Sequence, residues 1–375
     1  MPRASHRSGA RDAGVTVVEI HLVGGFLGSG KTTAILGASA LLRGKGVSVG
    51  VVTNDQGRSL VDTELIRAAG IPASEVTGGC FCCNFPALQG MIEQLERATG
   101  PRVVFAEPVG SCTDLVATVL KPLVASNRAQ RRIGRLSVFT DIRLLRQRLF
   151  NRPLPFSEDV QYIFDTQIEE AEILVLNKAD LLSTDAAQEI LQKGKERYPD
   201  KTLLLQSSLD SGNLLTWIDT LEKNDGGSEH RAIRVDYDRY AHGEMGLAWY
   251  DASLAIDLPL DKGQEVVQRL IHELRVAVHG AGRPVGHLKI HVRHAGGSFK
   301  LSITQDHAEP TEVHAIDGTV LGVTINARTE GGAEALQSTV REAVARAVSG
   351  NGITVRLLQE AAFHPSRPEP SLRMT

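Results

Sequence analysis

A mostly parallel α/β sheet covered on both faces by helices, followed by a smaller α+β domain, is the fold class that three observations predict. Short apolar runs alternate with helix-periodic segments through the first 222 residues. A glycine-rich loop stands between the first apolar run and the first helix. Beyond a polar break the order changes to strands in hairpin sequence with fewer helices between them.

Val15 to Val23 reads as the first strand, and Thr32 to Leu42, with Ala34, Ile35, Leu36 and Leu41 on one stripe, reads as the first helix. Between them, Gly25 to Thr32 fits GxxxxGK[ST], the phosphate-binding loop of P-loop NTPases. Gly25, Gly28 and Gly30 let the backbone curl so that successive N–H groups, through Ser29 to Thr33, point at phosphate oxygens, and the helix N-terminus adds partial positive charge. Lys31 is expected to reach the β and γ phosphates, and the Thr32 hydroxyl to ligate Mg²⁺.

Val47 to Thr53 is a second buried strand, delivering Asn54, Asp55 and Gln56 to the nucleotide edge. Arg102 to Ala106 is a third, and it ends in Glu107, where a Walker B carboxylate would hold a water on Mg²⁺. Strands at 134–140, 173–176 and 202–206 continue the series, alternating with helices at 85–97, 111–125, 157–170, 186–196 and 214–221. No internal repeat is visible.

The strand ending at Leu176 delivers Asn177-Lys178-Ala179-Asp180, an NKxD motif at the carboxyl end of the sheet, where open α/β sheets bind ligands. The Asp180 carboxylate can accept two hydrogen bonds from guanine N1–H and the 2-amino group, which adenine does not offer. Asn177 can bond the other edge of the base, and the Lys178 stem can lie over the ring. With the P-loop before it and Gln206-Ser207-Ser208 after it, the motif predicts GTP as the nucleotide.

Three of the four cysteines lie in Gly78-Gly79-Cys80-Phe81-Cys82-Cys83. So tight a cluster suits a soft metal better than a disulfide framework, and three sulfurs leave one tetrahedral position open. Zn²⁺ is the first expectation for Cys80, Cys82 and Cys83, with Co²⁺ or Ni²⁺ as alternatives. A buried apolar or redox role for these thiols is the plainer reading. No signal peptide is visible, so the thiols are expected to stay reduced in a cytoplasmic protein.

Together Gly25–Thr33, Asn54-Asp55-Gln56-Gly57, Gly78–Cys83, Glu107-Pro108-Val109-Gly110 and Asn177–Asp180 resemble, in order, the motifs of the CobW-like metallochaperone GTPases, relatives of the hydrogenase and urease nickel-insertion GTPases. The resemblance covers about residues 15 to 222, and Asp55-Gln56 departs from the family's usual Glu-Phe. It implies a GTP-hydrolysing metallochaperone or metal-regulated switch serving a client apo-metalloenzyme. Lys31, Thr32 and Glu107 would act at the phosphates, Asp55 would be a switch residue near Mg²⁺, and Gln56 would position water. A metal sensor or storage module, and a P-loop enzyme of cobalamin-related metabolism, are the rival readings.

With 375 residues and 42% apolar content, the chain can bury one large core and a smaller one. A net charge of −3 gives no reason to expect nucleic acid or an acidic membrane as partner, and no apolar run has the length of a transmembrane helix. The oligomeric state is left open, a homodimer among the options. The expected organisation is a disordered tail over 1–14, a GTPase domain over 15–222, a linker over 223–231, an α+β domain over 232–360 and a tail over 361–375.

In the α+β domain, strands are expected at 246–256, 287–294, 298–304, 318–327 and 353–357, and helices at 262–278 and 332–348. His287 and His291 share one strand face but lie about 13 Å apart at ~3.3 Å per residue, too far for one ion. They read as a polar face opposite Leu288, Ile290 and Val292, with His294 on the other side. His364 is an isolated candidate ligand in a tail able to reach over the GTPase domain. Cys112 reads as a packing residue at a helix start, with a fourth-sulfur role as the alternative. The basic run Arg128, Arg131, Arg132 and Arg135 reads as a solvated loop.

Overall fold

The computed structural model describes residues 17–54, 61–77, 79–126, 131–223, 230–305, 307–308, 316–350 and 352–375. The expected 1–14 tail, Asp55, Gln56, Gly57, Gly78, Arg128 and most of the linker lie outside the described residues.

The first sheet contains β1 (Val18–Gly25), β2 (Val49–Asn54), β3 (Ala73–Val76), β4 (Val103–Glu107), β5 (Arg131–Ile133), β6 (Ser137–Asp141), β7 (Ile173–Asn177) and β8 (Thr202–Leu205). Their order is β3-β2-β4-β1-β6-β7-β8, with β5 beside the start of β1, and the pairings are parallel. The central strands β2, β4, β6 and β7 are buried along their whole length, as continuous apolar runs require when helices cover both faces. Those helices are α1 (Lys31–Gly44), α2 (Val61–Ala68), α3 (Phe85–Thr99), α4 (Lys121–Ala125), α5 (Ile142–Leu149), α6 (Glu158–Glu170), α7 (Thr184–Arg197) and α8 (Ser211–Glu222). Because β1 lies between β4 and β6, the chain turns outward in both directions from it, and the crevice at that switch point is where the P-loop emerges.

The second unit contains α9 (Tyr237–Met245), β9 (Leu247–Asp257), α10 (Gly263–Gly280), β10 (Val285–His294), β11 (Gly297–Thr304), β12 (His307–Ala308), β13 (Val320–Glu330), α11 (Ala333–Ala347) and β14 (Thr354–Phe363). Its strands form an antiparallel sheet in the order β12-β11-β10-β13-β9-β14. Period-2 alternation sends Leu288, Ile290 and Val292 into one core with Val267 and Leu270 of α10 and Val340 of α11. The opposite face is polar, as expected for His287 and His291, yet both are buried because this face docks on the P-loop and α2. Asn326 Oδ1 accepts from Val61 N (3.1 Å), and a Cβ on Gly28 would stand 2.5 Å from Thr304 Cγ2.

Four local expectations need correction. The helix expected from Ser111 starts only at Val116, with a wide five-residue turn (Val116–Leu120) before α4. Asp114 adopts φ 62° and is held by Tyr237 Oη (2.6 Å) and Arg373 Nε (2.8 Å), so Ser111 to Leu115 serve tertiary contacts. The strand expected over 134–140 begins only at Ser137; β5 ends before it at Ile133, and at Gly134 between them a Cβ would meet His21 Nδ1 at 2.4 Å. The described part of the basic run is not a solvated loop: Arg131 pairs with Glu96, Arg132 with Glu19 (both 2.6 Å), and Arg135 donates to Glu172 O (2.7 Å). Finally, β14 continues to Phe363, because its residues keep pairing with β9 as far as Trp249.

No helix among the described residues is long and apolar enough to cross a membrane.

Glu170, at the end of α6, accepts from Thr113 Oγ1 (3.2 Å) and Val116 N (3.3 Å) in the buried turn. Burial, with Asp114 nearby, pushes its carboxyl up to about 8 from an ordinary 4.5. The folded state thus holds this proton more tightly than the unfolded chain, so the stabilisation is full below pH 4.5 and lost as pH rises through 8. The melting temperature is expected to fall between pH 5 and 8, and Glu170→Gln to flatten that fall in a thermal denaturation series.

Candidate functional site

The P-loop leaves β1 with Gly25, Gly28 and Gly30 at φ 131°, 71° and 91°, the left-handed values that exclude most side chains. Room is equally decisive: a Cβ at Gly25 would lie 2.1 Å from Phe139 O, and one at Gly30 2.4 Å from Asn177 Nδ2. Lys31 begins α1, and its Nζ donates to Gly25 O (2.8 Å) across the loop. Thr32 Oγ1 donates to Glu107 Oε1 at 2.9 Å, bringing together the two residues expected at Mg²⁺. Glu107 Oε2 is buried and without a hydrogen-bond partner among the described residues. A hydrated divalent cation fits that orphaned oxygen and the Thr32 hydroxyl. Burial, reinforced by Asp62, pushes Glu107 up to about 6, against the opposing pull of Lys31 and Lys289.

The NKxD residues meet the P-loop from the β7 side. Asn177 Nδ2 donates to Ser29 O (2.7 Å), while its Oδ1 accepts from Ser208 N (3.0 Å) and Ser208 Oγ (2.8 Å). Through its oxygen and one amide N–H, Asn177 ties three loops together. Lys178 adopts φ 64°, lines the same cavity as the P-loop and lies 3.4 Å from Asp141 Oδ2. Asp180 is exposed, two residues beyond Lys178.

The three cysteines of the loop before α3 bring their sulfurs within 4.8 Å of one another. Cys80 and Cys82 are buried and Cys83 is half-buried. The donor set fits a soft cation, and no disulfide joins these thiols. Cys112 lies in a loop rather than at a helix start, wholly buried, and its thiol is near enough to act on the ionisation of Cys80 and Cys82. Hydrogen bonds from Cys112, Cys82 and Cys83 pull the Cys80 thiol far below its ordinary range.

Asn54 joins the two sites. Its Nδ2 donates to Val76 O (3.0 Å) and Gly79 O (2.8 Å), and its Oδ1 accepts from Phe81 N (2.8 Å), while the residue also lines the P-loop cavity. The tail reaches the same loop: Ser371 N donates to Cys82 O (3.1 Å), and Met374 N to Ala117 O (2.9 Å). His364, by contrast, is engaged by two backbone groups, Ala333 N (3.3 Å) and Leu247 O (3.2 Å), and does not approach the cysteines' loop through these bonds.

The second domain supplies residues to the cavity that the sequence reading did not assign. Lys289, Lys300, His287 and Arg328 line it opposite Lys31 and Thr32. Lys289 pairs with Asp62 of α2, and Lys300 Nζ stands 3.8 Å from the same carboxylate. Burial disfavours the Asp62 anion, but these two ammonium groups outweigh it and hold the carboxyl well below its usual range. The available signal was the alternation His287-Lys289-His291-Arg293, whose charges at every second position mark a face that docks on something polar.

Asn177→Ala would leave Ser29 O and the Ser208 N–H unpaired in a buried place. A loss of about 2–3 kcal/mol is expected in urea denaturation.

The CobW/HypB/UreG nucleotide-binding domain family matches residues 19–205. The chain is 25% identical over 207 residues to a zinc chaperone CobW of Sinorhizobium sp, covering 50% of this chain and 58% of that protein. It is 28% identical over 191 residues to the zinc chaperone YeiR of Escherichia coli strain K12, covering 49% of this chain and 53% of that protein. The chain thus spans little more than half the length of these curated relatives. Among solved structures, HypB from Helicobacter pylori in complex with nickel is similar at 16% identity and a TM-score of 0.42, over 59% of this chain and 92% of that one.

Proposed function

We propose a function from one premise: the chain belongs to the CobW/HypB/UreG family of P-loop nucleotide-binding proteins. It binds GTP and hydrolyses it to GDP and phosphate. It takes a soft divalent cation, zinc before cobalt or nickel, on Cys80, Cys82 and Cys83. Nucleotide state sets how tightly that cation is held, so that it can be handed to a client apo-metalloenzyme.

Asn54 is the observation that carries this reading, because one buried amide lines the nucleotide cavity and braces the cysteine loop. A shift of the β2 end on nucleotide exchange would be felt at Gly79 and Phe81, the backbone on either side of Cys80. The names of the relatives, zinc chaperones, support zinc as cargo.

At the phosphates, the P-loop amides and Lys31 would compensate the charge that develops on the transferring group. Thr32 and Glu107 would hold Mg²⁺, which supplies further charge neutralisation when bound. Burial lowers the Lys31 pKa, against the pull of Glu107, so an arriving phosphate would meet an ammonium group poorly compensated by solvent. Asp55, which lies outside the described residues, is proposed as the switch residue near that ion.

Two outcomes test the reading. In a nucleotide titration GTP should be preferred strongly over ATP, and Asp180→Asn should move the preference toward xanthosine triphosphate; equal binding of GTP and ATP by the wild type rejects the guanine assignment. In a competition titration with a chelator, zinc affinity should differ at least about fivefold between the GDP state and a non-hydrolysable GTP analogue state. Asn54→Ala should shrink that ratio, and serine at all three cysteines should abolish it. Equal zinc affinities in the two states would leave the cysteine loop a storage or structural site.

A further inference from the structure

The cavity above the P-loop has two walls, and only one belongs to the nucleotide-binding domain. Lys31, Thr32 and Glu107 form the first, and Lys289 of β10 with Lys300 of β11 stands across from them. The walls are in contact, since a Cβ on Gly28 would meet Thr304 Cγ2 at 2.5 Å and Gly286 O at 2.9 Å. The facing side chains are largely withdrawn from solvent, with Lys289 14%, Lys300 16% and Asp62 20% exposed.

Charge is the second observation. Arg328 is matched by Asp251 (2.7 Å) and Lys178 faces Asp141 (3.4 Å). Lys31, Lys289 and Lys300 bring three ammonium groups to the core of the cavity, beside the carboxylates of Asp62 and Glu107. His287 lines the same space with a buried Nδ1 that has no hydrogen-bond partner among the described residues. Ammonium groups that face the P-loop from across the cavity suit an anion, and lysine recognises phosphate as a point charge without needing a fixed fork geometry.

Resting on the proposed nucleotide function, we propose that Lys289 and Lys300 complete the terminal-phosphate site from the second domain, and that Asp62 competes with that phosphate for the same two ammonium groups. Asp62 is the second residue of α2, and Asn326 of β13 holds the N–H of Val61 beside it. Taking Lys289 away from Asp62 therefore loosens the start of α2 from the second domain. Because α2 leads through β3 into the cysteine loop, the terminal phosphate is read by a helix that lies in the chain between the nucleotide edge and the thiols.

The test compares the affinities of the full chain for GDP and for a non-hydrolysable GTP analogue, by titration with fluorescent nucleotides. Lys289→Ala should weaken the analogue at least about tenfold, about 1.4 kcal/mol, while GDP changes less than about twofold. Lys289→Arg should recover part of the loss, and Asp62→Asn, which removes the competing charge, should tighten the analogue alone. Arg293→Ala breaks only an interdomain pair with Glu64 (2.7 Å) and should leave the ratio of the two affinities unchanged. Equal weakening of both nucleotides by Lys289→Ala would reduce Lys289 to a docking contact and overturn the inference. So would an unchanged ratio in Asp62→Asn, which carries the test alone should the lysine variants fail to fold. If the wild type binds neither guanine nucleotide, the nucleotide reading itself falls; if it binds both while the variants keep its ratio, only this inference does.

Discussion

One buried amide, that of Asn54, sets the relation between the two halves of the candidate site. Its three hydrogen bonds use both donors and one acceptor, and all three partners are backbone groups at the end of β3 or in the cysteine loop. No apolar or shorter polar residue can replace that pattern without leaving Val76 O or Phe81 N unpaired. The loop is consequently anchored to the end of β2, where Thr53 lies in register with Glu107. Thiols and phosphate-facing groups are thereby fixed to neighbouring strand ends of one sheet.

Electrostatics makes the second domain part of this arrangement. α2 is short, and two of its first four residues are acidic; both pair across the interface, Asp62 with lysines and Glu64 with His291 (3.1 Å) and Arg293. The same Asp62 helps push Glu107 up to about 6, so the ionisation of the residue beside Thr32 depends on what neutralises Asp62. The docked sheet influences the P-loop by position as well, since β10 and β11 stand close enough to exclude any side chain at Gly28.

Much of the fold was legible because its signals are local. The P-loop spacing, the apolar runs of β2, β4 and β7, and the cysteine cluster need no partner to be recognised, and their order predicts a parallel sheet with its site at the strand ends. What could not be read depends on distant contacts. Asp114 takes a left-handed conformation because Tyr237 and Arg373 hold it, residues more than a hundred positions away. The motif points Asn177 at a base, but its spacing does not reveal that the same amide also ties Ser29 and Ser208 together. Lys289 was passed over because alternation gives a strand's two faces without saying whether the polar one meets water or another domain.

The two faces of β10 carry incompatible loads. Leu288, Ile290 and Val292 fill a core, whereas His287, Lys289 and His291 meet the P-loop side, and an irregularity between Val285 and His287 interrupts the pairing with β13 just where the strand begins. A slip of one residue would exchange the faces entirely, driving an ammonium into the apolar core and leucine toward the phosphate loop. This strand should therefore tolerate point changes far better than insertions or deletions. Length variation in the second domain is expected to gather outside β10, its reading frame relative to the sheet being as constrained as that of the P-loop itself.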